Sequence, residues 1–237
     1  MDNLKNILEQ ENIEISENSL EKFEIYRNLI VEWNEKINLT AITDNYGMNV
    51  KHFLDCLLLT KTSLFDENKK VLDVGTGAGF PAIPLKIYNE NLDITMLDSL
   101  NKRIKFLNLV IENLNLKKIN AVHARAEEFG KKSEFREEFD IVVSRAVASL
   151  SLLLELTVPF VKLGGVFIAM KGPQYKEELE GSKNAMKKLG CNLEKVFSFK
   201  ISQGEEVSER NILIFKKTEN TKPNFPRNMG QIKKKPL

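Results

Sequence analysis

The nonapeptide Asp73-Val74-Gly75-Thr76-Gly77-Ala78-Gly79-Phe80-Pro81 constrains this chain more than any other segment. A short apolar run at 71–74 leads into three glycines at alternate positions, and an apolar stretch at helical spacing occupies 81–88. Strand, tight glycine turn and helix open a βαβ unit. Without a Cβ, glycine accepts positive φ and lets a ligand approach the backbone closely. In an open parallel sheet such a turn lies beyond the carboxyl ends of the strands, where ligands bind.

The pattern continues downstream. Runs rich in branched residues recur at 94–97, 119–122, 141–143 and 166–169, separated by helical stretches at 81–88, 102–114, 150–161 and 176–189. This alternation predicts a mostly parallel sheet covered on both faces. Segments 193–200 and 211–217 follow with no long helix between them, which predicts an antiparallel hairpin at one sheet edge. The first seventy residues carry no strand signal. Leu20, Phe23, Ile30 and Trp33 share a helical face, with Trp33 as a core anchor, and Asn18 with Glu21 three residues on predicts a helix start. Val50, Phe53, Leu54, Leu57 and Leu58 form a second amphipathic stretch beyond a polar connection at 37–46. The predicted division is a helical extension at 1–66 packed on the core, a ligand-binding α/β domain at 67–217 and a basic tail at 218–237.

Composition sets bounds. With 237 residues, 42% hydrophobic and 29% charged, the chain is of ordinary globular type. It has no apolar run of membrane-spanning length, and its polar start lacks the form of a secretion signal. Cys56 and Cys191 build no disulfide framework, which suits a reducing cytoplasm. A cytoplasmic monomer without membrane attachment is expected. Charge is uneven: residues 1–70 hold 8 Lys/Arg against 13 Asp/Glu, whereas residues 216–237 hold 7 Lys/Arg against one acid. Such a tail either neutralises phosphates or is solvated and disordered.

Ligand-binding residues follow from position. Gly75, Gly77 and Gly79 depart from the dinucleotide spacing Gly-x-Gly-x-x-Gly, and Phe80 occupies the next position, where a bulky apolar ring suits an uncharged ligand edge better than a pyrophosphate. Asp98, nineteen residues after Gly79 at the end of the next strand, can accept both hydroxyls of a ribose or cap the following helix. After the third strand, the turn carrying Ala126 and Glu127 offers a backbone N–H and a carboxylate to a base edge. Arg145, at the end of the fourth strand, can pair with a ligand carboxylate, a substrate phosphate or a surface acid. Lys171 before Gly172-Pro173, together with Lys233, Lys234 and Lys235, can meet nucleic-acid phosphate, with Arg103 and Arg125 as weaker choices. His52 and Asp55, three apart on a helix, can form a dyad or a structural hydrogen bond. His123 ends a strand and carries no expected chemistry.

These residues carry a resemblance. The glycine segment with Ser144-Arg145-Ala146 is similar to the ribosomal RNA small subunit methyltransferase G family, also called glucose-inhibited division protein B. Trp33-Asn34-Glu35-Lys36-Ile37-Asn38-Leu39-Thr40 and His52-Phe53-Leu54-Asp55-Cys56-Leu57 resemble its N-terminal signatures, although the second more often ends in Asp-Ser-Leu. The tail from Phe225-Pro226-Arg227 to Lys233-Lys234-Lys235-Pro236-Leu237 resembles members that keep it. The resemblance implies a class I, Rossmann-like methyltransferase fold with a seven-stranded sheet and S-adenosylmethionine as cofactor. It implies transfer to N7 of one guanine in 16S ribosomal RNA, free or within a 30S particle. It also implies that Gly75, Phe80, Ala126, Glu127 and Arg145 touch the cofactor. Guanine N7 has a lone pair and no proton to remove, so no catalytic acid–base residue and no metal are expected. Consistently, Ser144-Arg145-Ala146-Val147 lacks the Asn/Asp-Pro-Pro-aromatic signature of amine methylation, and neither cysteine stands near it.

Overall fold

The computed structural model describes residues 4–145, 148–203 and 206–237. Its described strands form one seven-stranded sheet: β1 (Lys70–Val74), β2 (Asp93–Asp98), β3 (Ile119–His123), β4 (Phe139–Arg145), β5 (Val161–Lys171), β6 (Cys191–Gln203) and β7 (Glu206–Lys217). The spatial order is β3-β2-β1-β4-β5-β7-β6. Strands β1 to β5 pair in parallel, and β7 runs antiparallel to both β5 and β6. The expected parallel sheet with an antiparallel edge hairpin is therefore present. Strand order reverses at β1 and β4, so their carboxyl ends frame a switch point, the place where such sheets open a ligand crevice.

Two apolar layers cover the sheet. One packs α2 (Glu17–Ile37), α5 (Ala82–Tyr88) and α6 (Asn101–Asn113) against alternate residues such as Val71, Ile94, Ile141 and Ile168. The other packs α8 (Leu150–Thr157) and α10 (Lys183–Leu189) against Leu72, Val142, Phe167 and Phe215. Trp33 joins the first layer, its ring 5.7 Å from that of Phe106. The N-terminal helices, beginning with α1 (Leu4–Gln10), thus share one core with the sheet. No described helix is long and apolar enough to cross a membrane.

Local chemistry moves several boundaries. The first long helix starts one residue ahead of Asn18, because Ser16 is the cap: its Oγ accepts the Ser19 N–H at 3.1 Å. The second amphipathic stretch is an irregular helix: α3 (Asn45–Met48), a π-helical turn at Asn49–Leu54, α4 (Asp55–Leu57) and a 3-10 turn at Leu58–Thr62. Residues 176–189 form two helices, α9 (Tyr175–Glu180) and α10, interrupted at Gly181 and Ser182.

The tail differs most from a solvated, disordered strand. Residues 229–234 form α11 (Met229–Lys234), closed by a reciprocal capping box between Asn228 and Gln231. Phe225 and Ile232 are buried. Glu155 of α8, 0% exposed, receives Arg227 Nε at 2.8 Å and Arg227 Nη2 at 2.7 Å. Arg136 donates to the carbonyls of Thr221, Lys222 and Phe225, and to that of Gly130. Buried Lys217 donates to Glu137, the Val158 carbonyl and Thr221. Satisfied charges, not apolar area alone, dock this segment.

Candidate active site at the carboxyl edge of the sheet

The glycine turn closes on β2. Gly75 and Thr76 N–H both donate to the Leu97 carbonyl, at 2.9 and 3.2 Å, and Gly77 N–H donates to Asp98 Oδ2 at 3.0 Å. Gly79 and Phe80 N–H donate to the Thr76 carbonyl at 2.9 and 3.0 Å. The amides expected to face a ligand are thus used within the protein. The amides of all three glycines are satisfied internally, so at these positions the turn offers space rather than donors, in keeping with the argument from Phe80 against a pyrophosphate. Gly77 has φ +62° and its added Cβ would meet nothing within 4 Å, so it borders open groove. Gly79 serves packing instead: a Cβ there would lie 2.4 Å from Ile83 Cδ1 and 3.0 Å from Tyr26 Oη. Tyr26, fully buried on α2, donates its hydroxyl to the Ala78 carbonyl at 2.7 Å and holds the turn from below.

Asp73, buried at the end of β1, accepts from Thr76 Oγ1 at 2.7 Å and from Ala82 N–H at 3.2 Å, while its Oδ1 has no partner. Burial raises its carboxyl to about 7. Ser144 donates to the Val74 carbonyl at 2.8 Å and fastens the end of β4 to the turn.

Asp98 ties the glycine turn to the approach of α6, whose N-cap position is Leu100 rather than Asp98 itself. Its Oδ1 accepts the Leu100 N–H at 2.9 Å ahead of α6, and its Oδ2 accepts from Gly77 and from Arg103 Nη1, the latter at 3.2 Å. The carboxylate lines both a groove of about 390 Å³ over the glycine turn and a narrower slot of about 140 Å³ beside it. The slot is walled by Leu97, Ala124, Leu156 and Met229, with Ala126 and Glu127 of α7 (Ala126–Phe129) at its border. Glu127 is buried, with Arg125 Nη1 3.9 Å from its Oε1.

Arg145 meets a partner inside the chain. Its Nη1 donates to Asp55 Oδ2 at 3.0 Å and to the Lys51 carbonyl at 3.3 Å, and its guanidinium carbon lies 4.7 Å from the Phe80 ring centroid. The surface salt bridge is corrected to a buried one, because both side chains are mostly enclosed. His52 and Asp55 form no dyad with each other; both grip Arg145, whose Nη2 is 3.3 Å from His52 Nδ1. Burial, reinforced by Arg145, lowers the His52 pKa to about 4. The neutral ring has its Nδ1 beside both Arg145 and the Lys51 carbonyl, the latter at 3.1 Å, and its Nε2 2.7 Å from Thr40 Oγ1. It also stacks on Phe80 with centroids 4.6 Å apart. Arg210, which sequence reasoning missed, donates from Nε to Asp55 Oδ1 at 3.0 Å.

This cluster separates the groove from a second cavity of about 320 Å³, walled by Ile42, Leu58, Met170 and Ile212 and by Arg145 and Arg210. The Asn34–Thr40 signature gains a role here. Asn34 Oδ1 accepts the Leu39 and Thr40 N–H groups at 2.6 and 2.9 Å, turning the chain so that Leu39 lines the groove and Thr40 reaches His52.

Lys171 borders the same cavity, yet the residue is buried and its ammonium donates to the Ala148 carbonyl at 2.6 Å and Glu178 at 2.7 Å. The expected free phosphate contact is corrected: internal acceptors neutralise this lysine. Lys233, Lys234 and Lys235 are exposed on and just beyond α11. His123 ends β3, its Nε2 3.0 Å from the Ser99 carbonyl. Ala146 and Val147 of the slot after β4 lie outside the described residues. Neither cysteine is poised for attack: burial pushes both thiols up, Cys191 to about 12.

Groove and slot share Gly75, Asp98 and Ser99, so they form one elongated cleft. Its open space at Gly77, a partnerless buried Asp73 oxygen and a slot with apolar walls and a carboxylate fit S-adenosylmethionine. Gly77→Val should abolish binding of this cofactor. It should also lower stability by about 1–2 kcal/mol, since a β-branched residue at φ +62° is strained. Titration calorimetry beside a thermal melt measures both effects. Asp98→Ala should weaken cofactor affinity by about 1–3 kcal/mol. Unchanged affinity would leave Asp98 as a bracket between turn and helix only.

Known proteins match this arrangement. A putative methyltransferase from Bacillus halodurans superposes with a TM-score of 0.54 at 15% identity, covering 70% of this chain and 100% of its own. TYW2 of M. jannaschii, solved in complex with AdoMet, gives 0.53 at 21% identity over 69% of this chain and 76% of its own. Both likenesses are of fold: the same sheet and helices recur in those two proteins. In sequence, the ribosomal RNA small subunit methyltransferase G of Clostridium perfringens is 46% identical over 100% of this chain and 98% of its own length. That of Clostridium botulinum strain Eklund 17B is 47% identical over 95% and 93%. A family model described as rRNA small subunit methyltransferase G matches residues 19–212, and the chain belongs to that family.

Proposed function

We propose that this protein transfers a methyl group from S-adenosylmethionine to N7 of a guanine in 16S ribosomal RNA, presented free or within the small subunit. The observation that carries the reading is that Arg145, which lies over Phe80, lines two cavities at once: a cleft that fits the cofactor and an arginine-edged, apolar-walled cavity that suits a flat base. The sulfonium supplies an activated methyl group when bound. Gly75, Phe80, Asp98, Ala126 and Glu127 would hold the cofactor, and Arg145 stands where it can touch cofactor and base together.

The protein's part is positioning. The ionisable groups at the junction support this. His52 is neutral, Asp55 is held between two arginines, and the Cys56 thiol is buried with a raised pKa. None is arranged to remove a proton, and guanine N7 has none to lose. Lys233, Lys234 and Lys235 supply exposed positive charge for RNA phosphates.

Mass spectrometry of 16S RNA from a strain lacking the gene should show one guanine methyl missing, restored by the purified protein with S-adenosylmethionine. RNA affinity should fall steeply as salt rises, as it does when several phosphates are neutralised. A full complement of guanine methyls in the deletion strain would end this reading.

A further inference from the structure

The C-terminal segment reaches the cleft. Met229, the first residue of α11, lines the narrow slot together with Leu156 of α8. The neighbouring residue of α8, Glu155, is the one that grips Arg227. Residues 225–232 are therefore tied to an element that itself lines the slot. They also brace the third side. Arg136 Nη1 bridges the Gly130 carbonyl, at the end of α7, and the Phe225 carbonyl, at 3.1 and 2.7 Å. A Cβ on Gly130 would come 3.3 Å from Pro226 Cγ, so the tail lies directly against the helix that carries Ala126 and Glu127.

We propose that α11 is a strap that completes the adenine subsite, with Met229 as the outer apolar wall against which the base packs. The inference rests on the reading that this cleft binds S-adenosylmethionine. The slot suits a flat aromatic base bearing an exocyclic amine: small, at about 140 Å³, lined by Leu97, Ala124, Leu156 and Met229, with the buried Glu127 carboxylate among its lining. Methionine suits such a wall because its unbranched, polarisable thioether packs well on aromatic rings. The anchoring bonds are made by Arg227, Glu155 and Arg136, not by Met229. Cofactor affinity is thus built partly from a tail whose exposed lysines face the solvent.

Equilibrium binding of S-adenosylmethionine and of 5′-methylthioadenosine, which keeps the base but lacks the amino-acid end, tests this on the full-length protein. Met229→Glu should weaken both compounds by the same factor, at least about tenfold, or about 1.4 kcal/mol. Met229→Leu should bind both within about threefold of the wild type, since an apolar wall of similar volume remains. The ligand-free melting temperature should be the same in all three proteins. Equal binding by Met229→Glu and wild type would overturn the proposal, as would weakening of S-adenosylmethionine alone or a lowered melting temperature that accounts for the loss. A wild-type protein that bound neither compound would remove the cofactor reading itself, and the strap with it.

Discussion

Arg145→Met is expected to cut methyl transfer at least about a hundredfold, the scale of a misplaced reacting group, and to destabilise the fold by about 3 kcal/mol. The two losses have separate causes. Asp55 is nearly enclosed and accepts from Arg145 at 3.0 Å, so removing the guanidinium leaves a buried carboxylate short of a partner. Arg210 still donates to its other oxygen, which keeps the cost at the lower end of the range for a broken buried pair. Activity falls because Arg145 also lies over Phe80 and borders both cavities, where cofactor and base must meet. The double variant Asp55→Asn with Arg145→Met distinguishes them. It should regain most of the lost stability, because the buried carboxylate charge is gone and Arg210, which loses its partner, is partly exposed, yet stay inactive. Denaturant midpoints and incorporation of labelled methyl groups read the two effects. Recovery of activity in the double variant would reduce Arg145 to a structural role.

Arg227→Ala should be similarly costly, about 3 kcal/mol, or roughly 6–12 °C in melting temperature for a chain of this length. Glu155 is 0% exposed and receives both the backbone N–H and the side chain of Arg227. No neighbouring cation in the described network can replace a two-armed guanidinium there. Converting both residues to leucine should recover most of the loss, since apolar groups can fill such a site without a desolvation cost. Calorimetric melts of the single and double variants test this. A single variant as stable as the wild type would mean that the tail docks through Phe225 and Ile232 alone. The same geometry changes what deletion of residues 222–237 does. A solvated tail could be removed at the expense of RNA contact only; this one takes a buried salt bridge and a wall of the cleft with it.

Helix and strand succession was legible because period and punctuation agree along most of the chain: branched runs stop at glycine or polar residues, and apolar residues recur at helical spacing between them. Boundaries slipped where a competing interaction prevailed. Ser16 displaced Asn18 as a cap because its hydroxyl reaches the Ser19 N–H, and the stretch 176–189 broke where Ser182 donates to the Glu178 carbonyl beside Gly181. Lys171 illustrates the limit for single residues. Its place at a strand end was readable, but Glu178 and the Ala148 carbonyl that neutralise it come from other elements.

The glycine turn, Phe80, Asp98 and the motif around Arg145 were thus available from the sequence alone, because cofactor chemistry needs particular residue types at fixed offsets from strand ends. Local spacing determined the α/β class and the position of the cleft over the glycine turn. Only the tertiary structure decided what supports that cleft. Tyr26 holds the turn across 52 positions of sequence, Arg210 shares Asp55 across 155, and Arg227 reaches Glu155 across 72. Such partners leave no periodic trace, since a buried hydroxyl or carboxylate finds its match wherever folding brings one within hydrogen-bond reach. The basic tail shows this most clearly: its charge is plain in the sequence, while its docking beside the cofactor cleft depends on one buried glutamate.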